Sequence, residues 1–126
     1  MTAAQVRAYL SKAEEYAAEA SNKLEAGRGI AATSLAIHAA INAADAVCGA
    51  RLGERATDQD HDQVLGLLKQ AGKDGAAVEK DLRRLLPMKT KAEYDPDDIP
   101  LSAASKAVDR AQRCVAVARS VVSRPR

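Results

Sequence analysis

Apolar positions recur at helical spacing along almost the whole chain. Val6, Leu10, Ala13, Ala17, Ala20 and Leu24 are separated by alternating gaps of four and three residues, which predicts a first helix from about Thr2 to Ala26. Gly27-Arg28-Gly29 supplies the permissive backbone that a helix end and a tight return require. A second helix is predicted over about Ile30 to Leu52, with Ile30, Ser34, Ile37, Ile41, Ala44 and Cys48 as one stripe and Leu35, His38, Asn42 and Asp45 as another. Two stripes imply two packing neighbours. Thr57-Asp58-Gln59-Asp60 has the form of a capping box that opens a third helix, whose inner face carries His61, Val64 and Leu68. The stretch Gly72 to Gly75 is expected to end it, and a fourth helix carries Val78, Leu82 and Leu85 before Pro87 forces a kink or stop. Asp95 to Pro100 reads as an extended connector, because each proline restricts the residue before it. Ser102 is placed to cap the last helix, in which Leu101, Ala104, Val108, Ala111, Val115, Ala118 and Val122 alternate gaps of three and four.

The segment Ile30 to Gly49 of the second helix holds one charged residue, Asp45, in a run of alanines and isoleucines, so it is expected to be buried. At ~100° per residue, positions i, i+4 and i+7 fall in a narrow arc, and His38, Asn42 and Asp45 therefore form one polar seam. A buried polar group without a partner costs about 1–3 kcal/mol, so the seam needs partners. His61 of the third helix is one candidate. The seam reads either as a structural network that fixes helix register or as a pocket in which a histidine exchanges protons near neutral pH.

Composition narrows the class. Phe and Trp are absent, and Val, Ile and Thr never form the alternating runs a sheet would need, which leaves an all-α fold. The 126 residues suffice for one domain spanning 1–126, with a core that needs neither disulfide nor metal. Alanine-rich helices approach closely but bury little area each, so an oligomer is expected. Cys48 lies on an apolar stripe and Cys114 beside one, without metal or redox spacing, and both read as buried reduced thiols. A net charge of +2 neither demands nor excludes nucleic acid. The first residues lack the basic-then-apolar pattern of a secretory signal, and the long apolar helix carries His, Asn and Asp at its middle; a cytoplasmic protein with no membrane span is expected.

Two further groups of side chains carry candidate chemistry. Lys89-Thr90-Lys91-Ala92-Glu93-Tyr94-Asp95 places two cations, two carboxylates and a phenol after Pro87, as a phosphate-binding cluster or as solvated pairs. Lys106, Arg110 and Arg113 share one face of the last helix and, with Arg124 and Arg126, form a basic strip that suits an acidic partner or RNA, or simply the solvated face. No aromatic side chain is interleaved in it for base stacking. His38, His61-Asp62 and Asp109 follow the order of helical metal-dependent phosphohydrolases, but single His and Asp residues recur by chance, and no metal or cofactor is assigned.

The helix His38-Ala39-Ala40-Ile41-Asn42-Ala43-Ala44-Asp45-Ala46-Val47-Cys48, then Asp60-His61, then Lys89-x-Lys91-Ala92-Glu93-Tyr94 before the final helix, resembles a bacterial HEPN-domain protein over about Thr2 to Val122. The resemblance implies an up-and-down bundle, here of four to five helices, forming a homodimer and encoded beside a small nucleotidyltransferase as a toxin–antitoxin or defence pair. Catalytic members are metal-independent RNases with an Arg-x4-6-His motif, in which the histidine is acid or base and the arginine holds the scissile phosphate. Here Lys89 stands where that arginine would and Tyr94 where that histidine would. Lysine lacks the bidentate fork, and a tyrosine hydroxyl with an ordinary pKa of about 10 is a poor base at neutral pH. The expectation is therefore a non-catalytic HEPN-like module, the antitoxin or regulatory component that binds and neutralises a nucleotidyltransferase. The alternatives are a HEPN-type RNase toxin using Lys89, Tyr94 and His61, and a small nucleotide-binding module between the seam and the Lys89 to Tyr94 cluster.

Overall fold

The computed structural model describes residues 1–56 and 61–124. In chain order the helices are α1 (Ala3–Glu25), α2 (Gly29–Leu52), α3 (His61–Gln70), α4 (Gly72–Leu85), α5 (Pro87–Glu93) and α6 (Leu101–Ser123). Four of them, α1, α2, α4 and α6, run alternately up and down, while α3 and α5 are short segments at the corners. The directions follow from contacts between ends. Arg119 near the end of α6 pairs with Glu14 of α1, and Asp74 at the start of α4 meets Arg51 at the end of α2 and Arg124 after α6. The described residues contain no strand, as the absence of alternating β-branched runs predicts.

Each long helix forms for a legible reason. In α1, the Thr2 hydroxyl accepts from the Gln5 backbone N–H at 3.1 Å and the Thr2 N–H donates to the Gln5 side-chain oxygen at 2.9 Å, so two otherwise orphaned donors are satisfied. Its stripe then buries Val6, Ala13, Ala17 and Ala20, with Leu10 and Leu24 at the edges. The α2 helix has no polar face of any width, and it packs against all five other helices rather than two, most extensively against α1 and α6. It is long and apolar enough to cross a bilayer, but its neighbours cover most of it, as befits the central rod of a core. In α6, Ala104, Val108, Ala111, Val115 and Ala118 are buried as the spacing predicts. Ala107, Cys114 and Val121 widen that stripe, so α4 packs beside α1 and α2 on the same helix.

The corners depart from the sequence expectation. Gly72 to Gly75 does not separate two helices; it forms the first turn of α4. The chain reverses over a single residue, Ala71, and Gly72 takes a positive φ of 73° that a side chain would resist. Gly75 is buried where a Cβ would overlap the Leu68 carbonyl, so it serves close packing rather than a break. Pro87 does stop α4, but it also sits at the first position of α5, where its fixed φ and missing N–H are harmless, and the Lys89 to Glu93 segment is therefore helical. Ser102 does not cap α6, because the helix already begins at Leu101 behind Pro100, which offers no side-chain bond. The capping box predicted at Thr57 to Asp60 lies outside the described residues.

Candidate functional site

The three members of the α2 seam do not share one set of partners. Asn42 Nδ2 donates to the His38 carbonyl one turn earlier at 2.8 Å, so its buried amide is tied within its own helix. Asp45, 6% exposed, has its Oδ2 3.9 Å from Arg55 Nη1, on the chain that leaves the C-terminal end of α2. The same guanidinium lies 5.2 Å from the ring centroid of Tyr9, which holds that corner against α1.

His38 faces the other way, and here the seam meets the cluster after Pro87. Its Nε2 is 3.6 Å from Oε1 of Glu93 on α5, and its ring centroid is 5.6 Å from that of Tyr16 on α1 at a tilt of 33°. Lys12 Nζ stands 6.0 Å from the Tyr16 ring centroid. The imidazole is about two-fifths exposed, and the gap to Glu93 exceeds hydrogen-bond length. Beside it opens a groove of about 510 Å³ whose lining includes Arg28, Ser34, Glu93 and Asp98. Two carboxylates against one guanidinium make this groove unwelcoming to a phosphate.

The other candidates are spread apart. His61 opens α3, half-buried, and no hydrogen bond or ion pair among the described residues joins it to His38, Asn42 or Asp45. Lys89 is half-buried on α5, Lys91 is exposed, and Tyr94 just beyond the helix is 76% exposed. Their side chains make no hydrogen bond or ion pair among the described residues. Lys89 and Tyr94 thus stand as a half-buried lysine and a solvent-facing phenol, with no imidazole or guanidinium paired to either among the described residues. Leu101, 49% exposed, stands at the far end of the same connector as Tyr94. No three described His, Cys, Asp or Glu side chains are close enough to hold a metal together.

Three cations of the basic strip are occupied, two of them by one carboxylate. Arg113 holds Asp81 of α4 through a two-pronged contact, Nε to Oδ2 at 3.1 Å and Nη2 to Oδ1 at 2.9 Å, and Arg110 Nη1 reaches Oδ1 at 3.4 Å. The bond to Asp81 raises the Arg113 pKa further above its ordinary value. Lys106 remains exposed, Arg124 pairs with Asp74, and Arg126 lies outside the described residues. Sequence reasoning missed Asp81, although it lies three residues after Val78 and one before Leu82, on the rim of the inner stripe, where a carboxylate needs a partner. It also missed Tyr16 beside His38, since nothing in the α1 pattern says which helix faces that histidine.

Comparison with known proteins adds two findings. The family model described as the HEPN domain matches residues 6–124, which takes in α2 to α6 and all of α1 but its first three residues. No curated protein matches the chain.

Proposed function

The chain belongs to the HEPN domain family, and on that premise we propose that it is a non-catalytic member, the antitoxin or regulatory half of a pair, whose work is to bind a nucleotidyltransferase. The observation that carries this reading is the state of the segment around Lys89 and Tyr94. Metal-independent RNA cleavage needs a group poised to take a proton and a cation fork on the phosphate. In this chain the nearest imidazole, His38, faces a carboxylate beside an acidic groove, and His61 lies on another helix.

What the segment does offer is a docking surface. Tyr94 and Leu101 present large apolar side chains to solvent on either side of the 95–100 connector, with Lys91 exposed beside them. Tyrosine combines a broad apolar ring with a hydrogen-bonding tip and is a frequent energetic centre of protein interfaces. Glu93, Asp95, Asp97 and Asp98 are exposed around these side chains and outnumber Lys91, so a basic, partly apolar patch on the partner complements this face, and a homodimer displays it twice.

Co-purification of the chain with its operon neighbour tests the reading. A stable complex is expected, and Tyr94→Ala should weaken it by more than about tenfold, the scale of an interface centre, without lowering the melting temperature of the free chain. Cleavage of RNA by the isolated chain without added metal, together with growth arrest that Tyr94→Phe relieves, overturns it in favour of a toxin.

A further inference from the structure

Far from the His38 groove, the up-and-down packing gathers the start of α1 and the ends of α2 and α6 at one end of the bundle. A cavity of about 280 Å³ opens there. Three guanidinium-bearing residues, Arg7, Arg51 and Arg124, line it; no carboxylate does, and much of the remaining wall is apolar, including Val6, Val121 and Val122.

Helix electrostatics alone do not account for this arrangement. Arg51 and Arg124 stand at C-terminal helix ends, where exposed carbonyls welcome a cation, and both reach the same Oδ2 of Asp74, at 3.6 and 3.2 Å. Arg124 Nε also donates to the Ser120 carbonyl at 3.2 Å. Arg7 has neither explanation. It lies near the N-terminal end of α1, where the helix's own field disfavours a cation, and it makes no ion pair or hydrogen bond among the described residues. Three guanidiniums face one carboxylate, and the helix ends contribute roughly half a charge each with partly cancelling signs, so a surplus of more than one positive charge remains.

We propose that this cavity binds a phosphomonoester, with the dianionic phosphate held among Arg7, Arg51 and Arg124 and a small organic body against Val6, Val121 and Val122. A planar guanidinium matches two phosphate oxygens at once. Asp74 holds Arg51 and Arg124 in place before the ligand arrives, which lowers the ordering penalty of binding, and Arg7 completes the site from α1. The apolar wall distinguishes an organic phosphate from the inorganic ion.

Calorimetric titration of the whole chain in phosphate-free buffer tests this, with phenyl phosphate, inorganic phosphate and phenol as probes. Phenyl phosphate is expected to bind saturably, one per chain and more tightly than inorganic phosphate, while phenol does not bind. Arg7→Gln should weaken phenyl phosphate by at least about tenfold, the loss of one charge-assisted contact, and leave the ligand-free melting temperature unchanged, because Arg7 supports no other residue. Arg124→Gln serves as the second variant should Arg7→Gln fail to fold, with a loss of at least about tenfold expected of it too. Lys80→Gln, which removes one exposed positive charge from α4, should bind as the parent does. No saturable binding at millimolar phenyl phosphate, an Arg7→Gln protein indistinguishable from the parent, or an equal loss in Lys80→Gln overturns the proposal.

Discussion

Two glycines inside helices should respond to alanine with opposite signs. In an exposed helix interior, Gly→Ala is worth about 1 kcal/mol, because alanine loses less backbone freedom on folding. Gly66 in the middle of α3 meets that condition, since an added Cβ there would find no heavy atom within 4 Å. Gly75 in the first turns of α4 does not. Its Cβ would overlap the Leu68 carbonyl oxygen and come within 2.6 Å of Ala71 Cβ, and neither neighbour can swing aside as the tip of a long side chain would. Such a clash opens the α3–α4 corner at the expense of the buried Leu68 and Val78. A clash this close to backbone belongs in the upper part of the roughly 1–3 kcal/mol that overpacking costs, which outweighs the propensity gain and leaves Gly75→Ala a net loss of about 1–2 kcal/mol. Urea unfolding followed by circular dichroism reads both variants: Gly66→Ala should raise the midpoint and Gly75→Ala lower it, at unchanged m-value. A Gly75→Ala protein as stable as the parent, or shifts of the same sign in both, would refute the account of that corner.

Asp81→Asn should lower stability by about 1–2 kcal/mol in urea titration, less than the 3–5 kcal/mol of a fully buried pair, because Arg113 is mostly exposed and can turn to water; a loss beyond that range would mean the clasp also positions α4. Cys48 and Cys114 should resist a thiol reagent at pH 8 in the folded chain and react once it is unfolded. Burial is the first cause that pushes each thiol from 9.0 up to about 12, with Asp45 and Glu54 adding to Cys48 and Asp81 to Cys114. Because the folded values lie above the unfolded ones, this stabilisation is complete below pH 9.0 and is lost as pH rises toward 12, with a slope of about 1.4 kcal/mol per unit for each thiol. The Cys48→Ala, Cys114→Ala double variant should show a shallower alkaline loss than the parent; equal slopes above pH 9 would contradict this.

Periodicity was enough to read α1, α2 and α6, whose named stripes are buried at their centres and only half-buried at several positions, while Leu101, named as the first position of the α6 stripe, is exposed because it stands at the helix end. It failed where one residue has two roles. Pro87 ends one helix and begins another, and the spacing of Val78, Leu82 and Leu85 carries no sign of the seven-residue α5 beyond it. Gly72 and Gly75 look alike in a sequence, yet one bends the chain and the other lets two helices touch. The polar residues were legible as a line on α2 but not as contacts. His38 and Asp45 share an arc, but α1 and α5 border the former while the chain beyond α2 borders the latter, so a single stripe serves two unrelated neighbourhoods.

That division bears on where function resides. A polar seam with one common partner would be a pocket; here Asn42 bonds its own helix, His38 meets Glu93 and Tyr16, and Asp45 meets Arg55, an arrangement suited to fixing packing register. On the surface the charges sort by region. Glu93 and Asp98 make the groove beside His38 acidic, the connector between Tyr94 and Leu101 carries Asp95, Asp97 and that same Asp98, and Arg7, Arg51 and Arg124 line the cavity at the opposite end. The two regions are therefore separable by substitution. Tyr94→Ala should weaken partner capture and leave phenyl phosphate binding intact, Arg7→Gln should do the reverse, and a variant at either place that weakened both would show that the bundle couples its ends.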